Sequence, residues 1–160
     1  MSRPSRKENQ NKKRMNHAIE AQYPFKRSTS VQLRFNDIDA LGHVNNSVYF
    51  QFFDLAKTEY FAGLEVNADI NWCRPAIVIA NVNCSFIAPT VFQEPVEVLT
   101  QCARLGNKSL TLLQHLINRD TRELKATCAT VMVNLDPDTN LPAPLPQVWR
   151  DAIIAYEGHE

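Results

Sequence analysis

The sequence predicts an α+β domain, an antiparallel sheet of five to six strands wrapped around one long central helix. Three observations predict it. A segment of strict alternation gives way near residue 47 to a segment of helical period. Strand-like runs joined by tight or moderate connections then fill most of the chain to residue 135, which favours antiparallel pairing. The helical segment is apolar over more than one stripe, so it is surrounded on more than one side, and only the sheet can cover it.

Residues 1–22 are polar and basic, with Arg3, Arg6, Lys7, Lys12, Lys13 and Arg14 against Glu8 and Glu20. Such a segment buries too little apolar surface to offset its ordering entropy, so a disordered tail is expected, with the folded domain spanning 23–160. Residues 29–35 alternate, placing Val31, Leu33 and Phe35 on one face and Gln32 and Arg34 on the other, a half-buried strand. From residue 47 the period is 3.6, carried by Val48, Tyr49, Phe52, Phe53, Leu55, Ala56, Tyr60 and Phe61. Asn46 or Ser47 suits the N-cap and Gly63 the position after the last turn.

Residues 65–74 read as a connector. Pro75 opens an apolar, β-branched run over 76–88 that ends at Pro89. Further runs follow at 94–105, 108–118 and 124–135, separated by the Gly106-Asn107 turn and the polar turn 119–122. Pro142, Pro144 and Pro146 stiffen a linker. Pro146 suits the first position of a last helix whose apolar face is Val148, Trp149, Ala152, Ile153 and Tyr156.

At 160 residues the chain is long enough for one well-filled core. The formal net charge is zero, so no overall field points to nucleic acid or a membrane surface. No run approaches the roughly 18 apolar residues of a membrane span, and the basic N-terminus lacks the apolar core of a secretory signal. Cys73, Cys84, Cys102 and Cys128 stand singly in apolar runs. They are expected as free buried thiols in a reducing cytoplasm, with neither metal-ligand spacing nor a disulfide framework.

The densest chemistry lies between strand and helix, in Asn36-Asp37-Ile38-Asp39-Ala40-Leu41-Gly42-His43-Val44-Asn45-Asn46. A surface turn ahead of a helix needs a Gly and a cap, not two Asp and a His besides. The stretch reads as an active-site loop feeding the N-terminus of the buried helix.

Asp37 to Tyr49 resembles the D-x-D-x-x-G-x-V-x-x-x-x-Y signature of hotdog-fold thioesterases, most closely the 4-hydroxybenzoyl-CoA thioesterase-like branch. Its His-Val-Asn-Asn variant is similar to plant acyl-ACP thioesterases and bacterial acyl-CoA thioesterases. The resemblance covers residues 28–152. It implies a hotdog fold, hydrolysis of an acyl-CoA thioester without cofactor or metal, and homodimers or homotetramers with active sites at the subunit interface. It also implies that Asp39 is the catalytic carboxylate and that the Asn46 backbone N–H is aimed at the thioester carbonyl. Asp54 and Lys57 depart from the Glu and Arg that many members carry on the helix.

The chemistry suits these residue types. A carboxylate activates water or attacks directly to give an anhydride, and the first N–H groups of a helix stabilise the oxygen that gains negative charge. Asp37 serves as a neighbouring carboxylate or as a brace of the turn. His43 either hydrogen-bonds the substrate or orients Asp39, or is a structural turn residue. Asn45 and Asn46 bond the loop backbone through their side chains. Tyr49 and Phe53 line an acyl pocket or belong to the core. Arg74, Arg104, Lys108, Arg119 and Arg122 are candidates for CoA phosphates. Asp54 and Glu59 are rival carboxylates that pair more readily with Lys57 or an Arg. Against the thioesterase reading stand an enoyl-thioester hydratase on the same fold and a non-catalytic acyl-thioester binder.

Overall fold

A computed structural model describes residue 21, residues 24–64 and residues 77–158. The basic tail, the domain boundary at residue 23, Cys73, Arg74 and the connector 65–74 fall outside the described residues.

The first strand, β1 (Arg27–Val31), turns Thr29 inward, and Val31 and Leu33 pack against the core as the alternation predicts. Phe35 does not join them. It opens a 3-10 turn, Phe35–Asp37, and stands 79% exposed. Alternation cannot register that the strand stops before its last apolar residue.

Helix α1 (Asn46–Ala62) begins one residue earlier than the pattern suggests, because Asn45 is the cap. Its side-chain oxygen accepts from the Ser47 N–H at 2.9 Å and the Ser47 hydroxyl at 2.7 Å. At the far end Gly63 stays right-handed and its N–H closes back on Glu59 and Tyr60. The helix presents Val48, Tyr49, Phe52, Phe53, Ala56, Tyr60 and Phe61 to the core, but Phe50 and Leu55 are exposed. Among the described residues the cover lies on the face that carries these side chains, and Phe50 and Leu55 are left outside it.

The other strands are β2 (Ile77–Phe86), β3 (Val96–Leu105), β4 (Ser109–Asn118) and β5 (Leu124–Asn134). They form with β1 a five-stranded sheet in the order β1-β3-β4-β5-β2, antiparallel throughout. β3, β4 and β5 make a meander. β2 pairs with β5 rather than with its successor, so the chain crosses β5 and β4 between β2 and β3. The crossing segment, residues 87–95, passes where α1 begins, and this determines what it touches.

The core has two parts. Near the start of α1, Val48, Tyr49, Phe52, Phe53 and Ala56 pack on Val96, Val98, Leu116, Ala126 and Cys128. Near its end, Tyr60, Phe61 and Leu64 pack with Cys102, Leu110, Leu112 and Met132. A buried phenylalanine or leucine here contributes about 2 kcal/mol. The last helix, α2 (Gln147–Glu157), closes the second part with Ile153, Trp149, Ala152 and Tyr156. Pro146 is its cap rather than its first residue, and Val148, expected on the apolar face, is exposed. The buried Glu157 carboxylate accepts from the Tyr60 hydroxyl at 2.7 Å and the Cys102 N–H at 2.6 Å. Burial, with Glu157 alongside, pushes the Cys102 thiol up to about 12.

The expectation of free thiols requires correction. Cys84 on β2 and Cys128 on β5 are directly opposite in the antiparallel register and are joined as a disulfide. Their sequence separation of 44 hides that pairing from a local reading. Cys102 remains free and buried. Among the described residues no helix is long and apolar enough to cross a membrane.

Candidate active site

The loop ahead of α1 is a miniature antiparallel hairpin. Ile38 and Val44 bridge. On either side of them the Asp39 N–H donates to the His43 carbonyl at 2.9 Å and the Asn45 N–H to the Asp37 carbonyl at 2.8 Å. The tip is a four-residue turn in which the Gly42 N–H returns to the Asp39 carbonyl at 3.0 Å. Gly42 sits at φ +80°, left-handed backbone that favours glycine. The hairpin brings Asp39 alongside His43, three residues before the first N–H of α1.

Asp37 and Asp39 have different environments. Asp37 is 2% exposed. It accepts from the Arg34 backbone N–H at 2.7 Å and from the Arg34 guanidinium at 2.9 Å. Burial alone pushes its carboxyl up, but the Arg34 side-chain and backbone hydrogen bonds and its positive charge outweigh that and hold it below the usual range. Asp37 is therefore a brace. Asp39 is half-buried at the rim, and one oxygen accepts from the Leu41 N–H at 2.8 Å. Its second oxygen has no partner among the described residues.

Asn45 caps the helix as described. The Asn46 N–H, first of α1, has no acceptor among the described residues and lies at the positive end of the helix dipole. The His43 ring is exposed with no hydrogen bond among the described residues, while its backbone bridges to Val91. Tyr49 is buried, and its hydroxyl donates to Thr90 Oγ1 at 2.9 Å. Phe53 is buried in the core beneath the middle of the helix. The hairpin thus gathers Asp39, His43, Asn45 and Asn46 at one end of α1, with Tyr49 one turn below and Phe53 deeper.

Several of the other charged candidates are engaged elsewhere, Lys108 with the Pro142 carbonyl at 3.0 Å. Asp54 pairs with Lys57 at 2.7 Å and Glu59 with Arg27 at 3.0 Å. Arg122 pairs with Glu97 at 2.7 Å, and Arg119 lies 3.6 Å from Asp120. No group of three or more His, Cys, Asp or Glu among the described residues is arranged to hold a metal ion.

The rim of the hairpin is apolar. Phe35 and Phe92 meet edge to face at 6.2 Å, and Leu41, Val91, Phe86 and Ile87 are exposed nearby in the chain path. A carboxylate, the Asn46 N–H without an acceptor among the described residues and an apolar rim together suit a substrate with a polarisable carbonyl attached to an apolar group.

Sequence reasoning missed Thr90, which receives both Tyr49 and the Val44 N–H, the latter at 2.8 Å. A threonine after a proline in a loop carries no local signal for that role. Arg34 was read only as the polar face of a strand.

Residues 33–153 match the family model of the thioesterase-like superfamily. The chain is 26% identical over 114 residues to the long-chain acyl-CoA thioesterase FadM of Escherichia coli K12, covering 69% of this chain and 84% of FadM. It is 25% identical over 122 residues to the acyl-CoA thioester hydrolase YbgC of Escherichia coli O6:H1, covering 73% of this chain and 87% of YbgC. Among solved structures it is similar to a thioesterase from Thermus thermophilus complexed with coenzyme A and zinc. The TM-score is 0.74 and the identity 31%, covering 85% of this chain and 97% of that one.

Proposed function

The chain belongs to the thioesterase-like superfamily and has its hotdog fold, and on that premise we propose that it is an acyl-CoA thioesterase. It hydrolyses an acyl-CoA thioester to a free carboxylic acid and CoA. The observation that carries this reading is the hairpin that sets Asp39, with one oxygen unpartnered among the described residues, just ahead of an Asn46 N–H that has no acceptor among them.

In this reading the Asp39 carboxylate takes a proton from water as the water oxygen attacks the acyl carbon. The carbonyl oxygen becomes an oxyanion and is held by the Asn46 N–H, a donor of a kind worth about 3 kcal/mol in such sites. Collapse of that intermediate breaks the carbon–sulfur bond, and the departing thiolate takes up a proton. The step uses no metal and no cofactor. His43, exposed beside Asp39, contacts the substrate's thioester portion, and the apolar rim receives the acyl group. Asn45 serves by capping the helix. Arg74 remains a candidate for the CoA phosphates.

The same reading includes self-association. β2 is a ten-residue edge strand with Val78, Ile79, Val82 and Phe86 exposed, whereas the other edge, β1, is short and polar. A long apolar edge favours pairing with another strand. Phe86 lies 5.2 Å from Tyr49, so a partner copy along β2 would lie next to the hairpin. A homodimer through β2, alone or within a homotetramer, follows. A cytoplasmic location belongs to the reading through its CoA substrate, although the Cys84–Cys128 pair weighs the other way.

The test is thiol release from short, medium, long and aromatic acyl-CoAs by wild type and Asp39→Asn. The variant is expected to lose about a hundredfold in kcat or more, the range set by a general base. An unchanged rate overturns the role of Asp39. Val82→Lys is expected to shift the protein toward monomer in sedimentation, and an unchanged oligomer removes β2 as the interface.

A further inference from the structure

The strap between β2 and β3 is fastened on both sides. Inward, the Thr90 carbonyl accepts from the Val44 N–H at 2.8 Å, Thr90 Oγ1 accepts from the Tyr49 hydroxyl at 2.9 Å, and Val91 bridges to His43. On its other side the strap meets Lys125 of β5. Lys125 is a lysine only 3% exposed. Its Nζ donates to the Pro89 carbonyl at 3.0 Å and pairs with Glu94 at 2.8 Å and Glu123 at 2.7 Å, using all three donors. Its backbone carbonyl accepts from Ile87 and Ala88. Glu94 in turn accepts from the Val91 N–H at 2.9 Å and from the Asn118 amide.

We propose that Lys125, acting with Glu94 through the Pro89–Thr90 segment, is a positioning residue for the reaction. It holds the strap that fixes Val44, and with it the distance between Asp39 and the first turn of α1. This rests on the thioesterase reading for its kinetic arm only. A buried ammonium is costly unless every donor is used. An apolar residue of similar length would fill the same volume but would take the Lys125 donor from the Pro89 carbonyl and the cation from the Glu94 and Glu123 carboxylates. Thr90, the residue after that carbonyl, makes the bond that reaches the hairpin at Val44 and the one that reaches Tyr49 of α1. Displacement of reacting groups by about 1 Å costs on the order of a hundredfold in rate, so a partly loosened strap is expected to be felt at the site.

The experiment uses the full chain with Lys125→Met and Lys125→Arg, read by residue-resolved amide exchange and by steady-state kinetics. In Lys125→Met the Val44 amide is expected to lose about tenfold in protection while Leu113 and Ala129, paired in the sheet, keep theirs. With the acyl-CoA hydrolysed by wild type, kcat falls about tenfold at unchanged KM, the signature of lost alignment rather than lost binding. Lys125→Arg, which keeps the charge and multiple donors, restores both in large part. Glu94→Gln reproduces the pattern more weakly, and decides the matter if Lys125→Met fails to fold. Unchanged Val44 protection in a folded variant overturns the proposal. So does a loss spread evenly through β4 and β5, which marks general destabilisation. A wild type that releases no thiol from any acyl-CoA overturns the thioesterase reading, and the exchange result then still decides whether Lys125 holds the hairpin.

Discussion

Tyr49 and Thr90, 41 residues apart, share a buried hydrogen bond of 2.9 Å that ties the first turns of α1 to the strap between β2 and β3. Both side chains are closed to solvent, and Tyr49 also packs edge to face on Phe86 at 5.2 Å. One aromatic residue therefore links the helix start, the strap and the edge strand.

Removing only the hydroxyl tests that link. Tyr49→Phe keeps the ring packing but leaves Thr90 Oγ1 buried without its donor. A loss of about 1–2 kcal/mol in unfolding free energy is expected from the unpaired group. Chemical denaturation measures it. Tyr49→Phe combined with Thr90→Val, which removes both polar atoms, is expected to recover part of the loss.

Arg34 and Asp37 make stability near the hairpin depend on pH. Because Asp37 titrates lower in the folded chain than in the unfolded one, its contribution is fully present above the unfolded carboxylate value, about pH 4. It fades as pH falls through the lower folded value. Arg34→Met removes the guanidinium partner. The melting temperature of the variant is expected to lie below wild type at pH 7, and the gap to narrow as pH falls below about 4, where the unfolded carboxyl begins to bind its proton. Calorimetry across that range checks it, and a gap independent of pH removes the ion pair as its cause.

Gly42 separates backbone strain from crowding. A methyl group there would meet nothing within 4 Å, yet the backbone sits at φ +80°. Gly42→Ala is therefore expected to cost about 1 kcal/mol through the left-handed conformation alone, and Gly42→Asn less, since asparagine tolerates that region better. Equal stabilities of the two variants contradict this account.

Much of the fold is legible along the chain because its signals are local. The period change before Val48, the Gly106-Asn107 turn and the apolar runs of β3 to β5 each need only neighbouring residues, and they appear where expected. The failures lie where a local signal has two outcomes. Phe35 continues the alternation of Val31 and Leu33, but a 3-10 turn takes it outside. Leu55 broadens the apolar face of α1, but among the described residues it stays exposed, on the side the sheet does not reach.

By itself the sequence determined the α+β class, the helix and its approximate ends, and the stretch from Asp37 to Asn46 as the loop that leads into it. These follow from side-chain period, capping chemistry and glycine, which act over a few residues. Only the tertiary structure decided how the surroundings of Asp37 and Asp39 differ, because that depends on which carboxylate Arg34 reaches. It alone decided that Cys84 faces Cys128, that β2 lies beside β5, and that Thr90, Lys125 and Glu94 stand behind the hairpin. Each of these is a contact between distant parts of the chain, made when β2 crosses to the far edge, and no residue's neighbours along the sequence carry information about it.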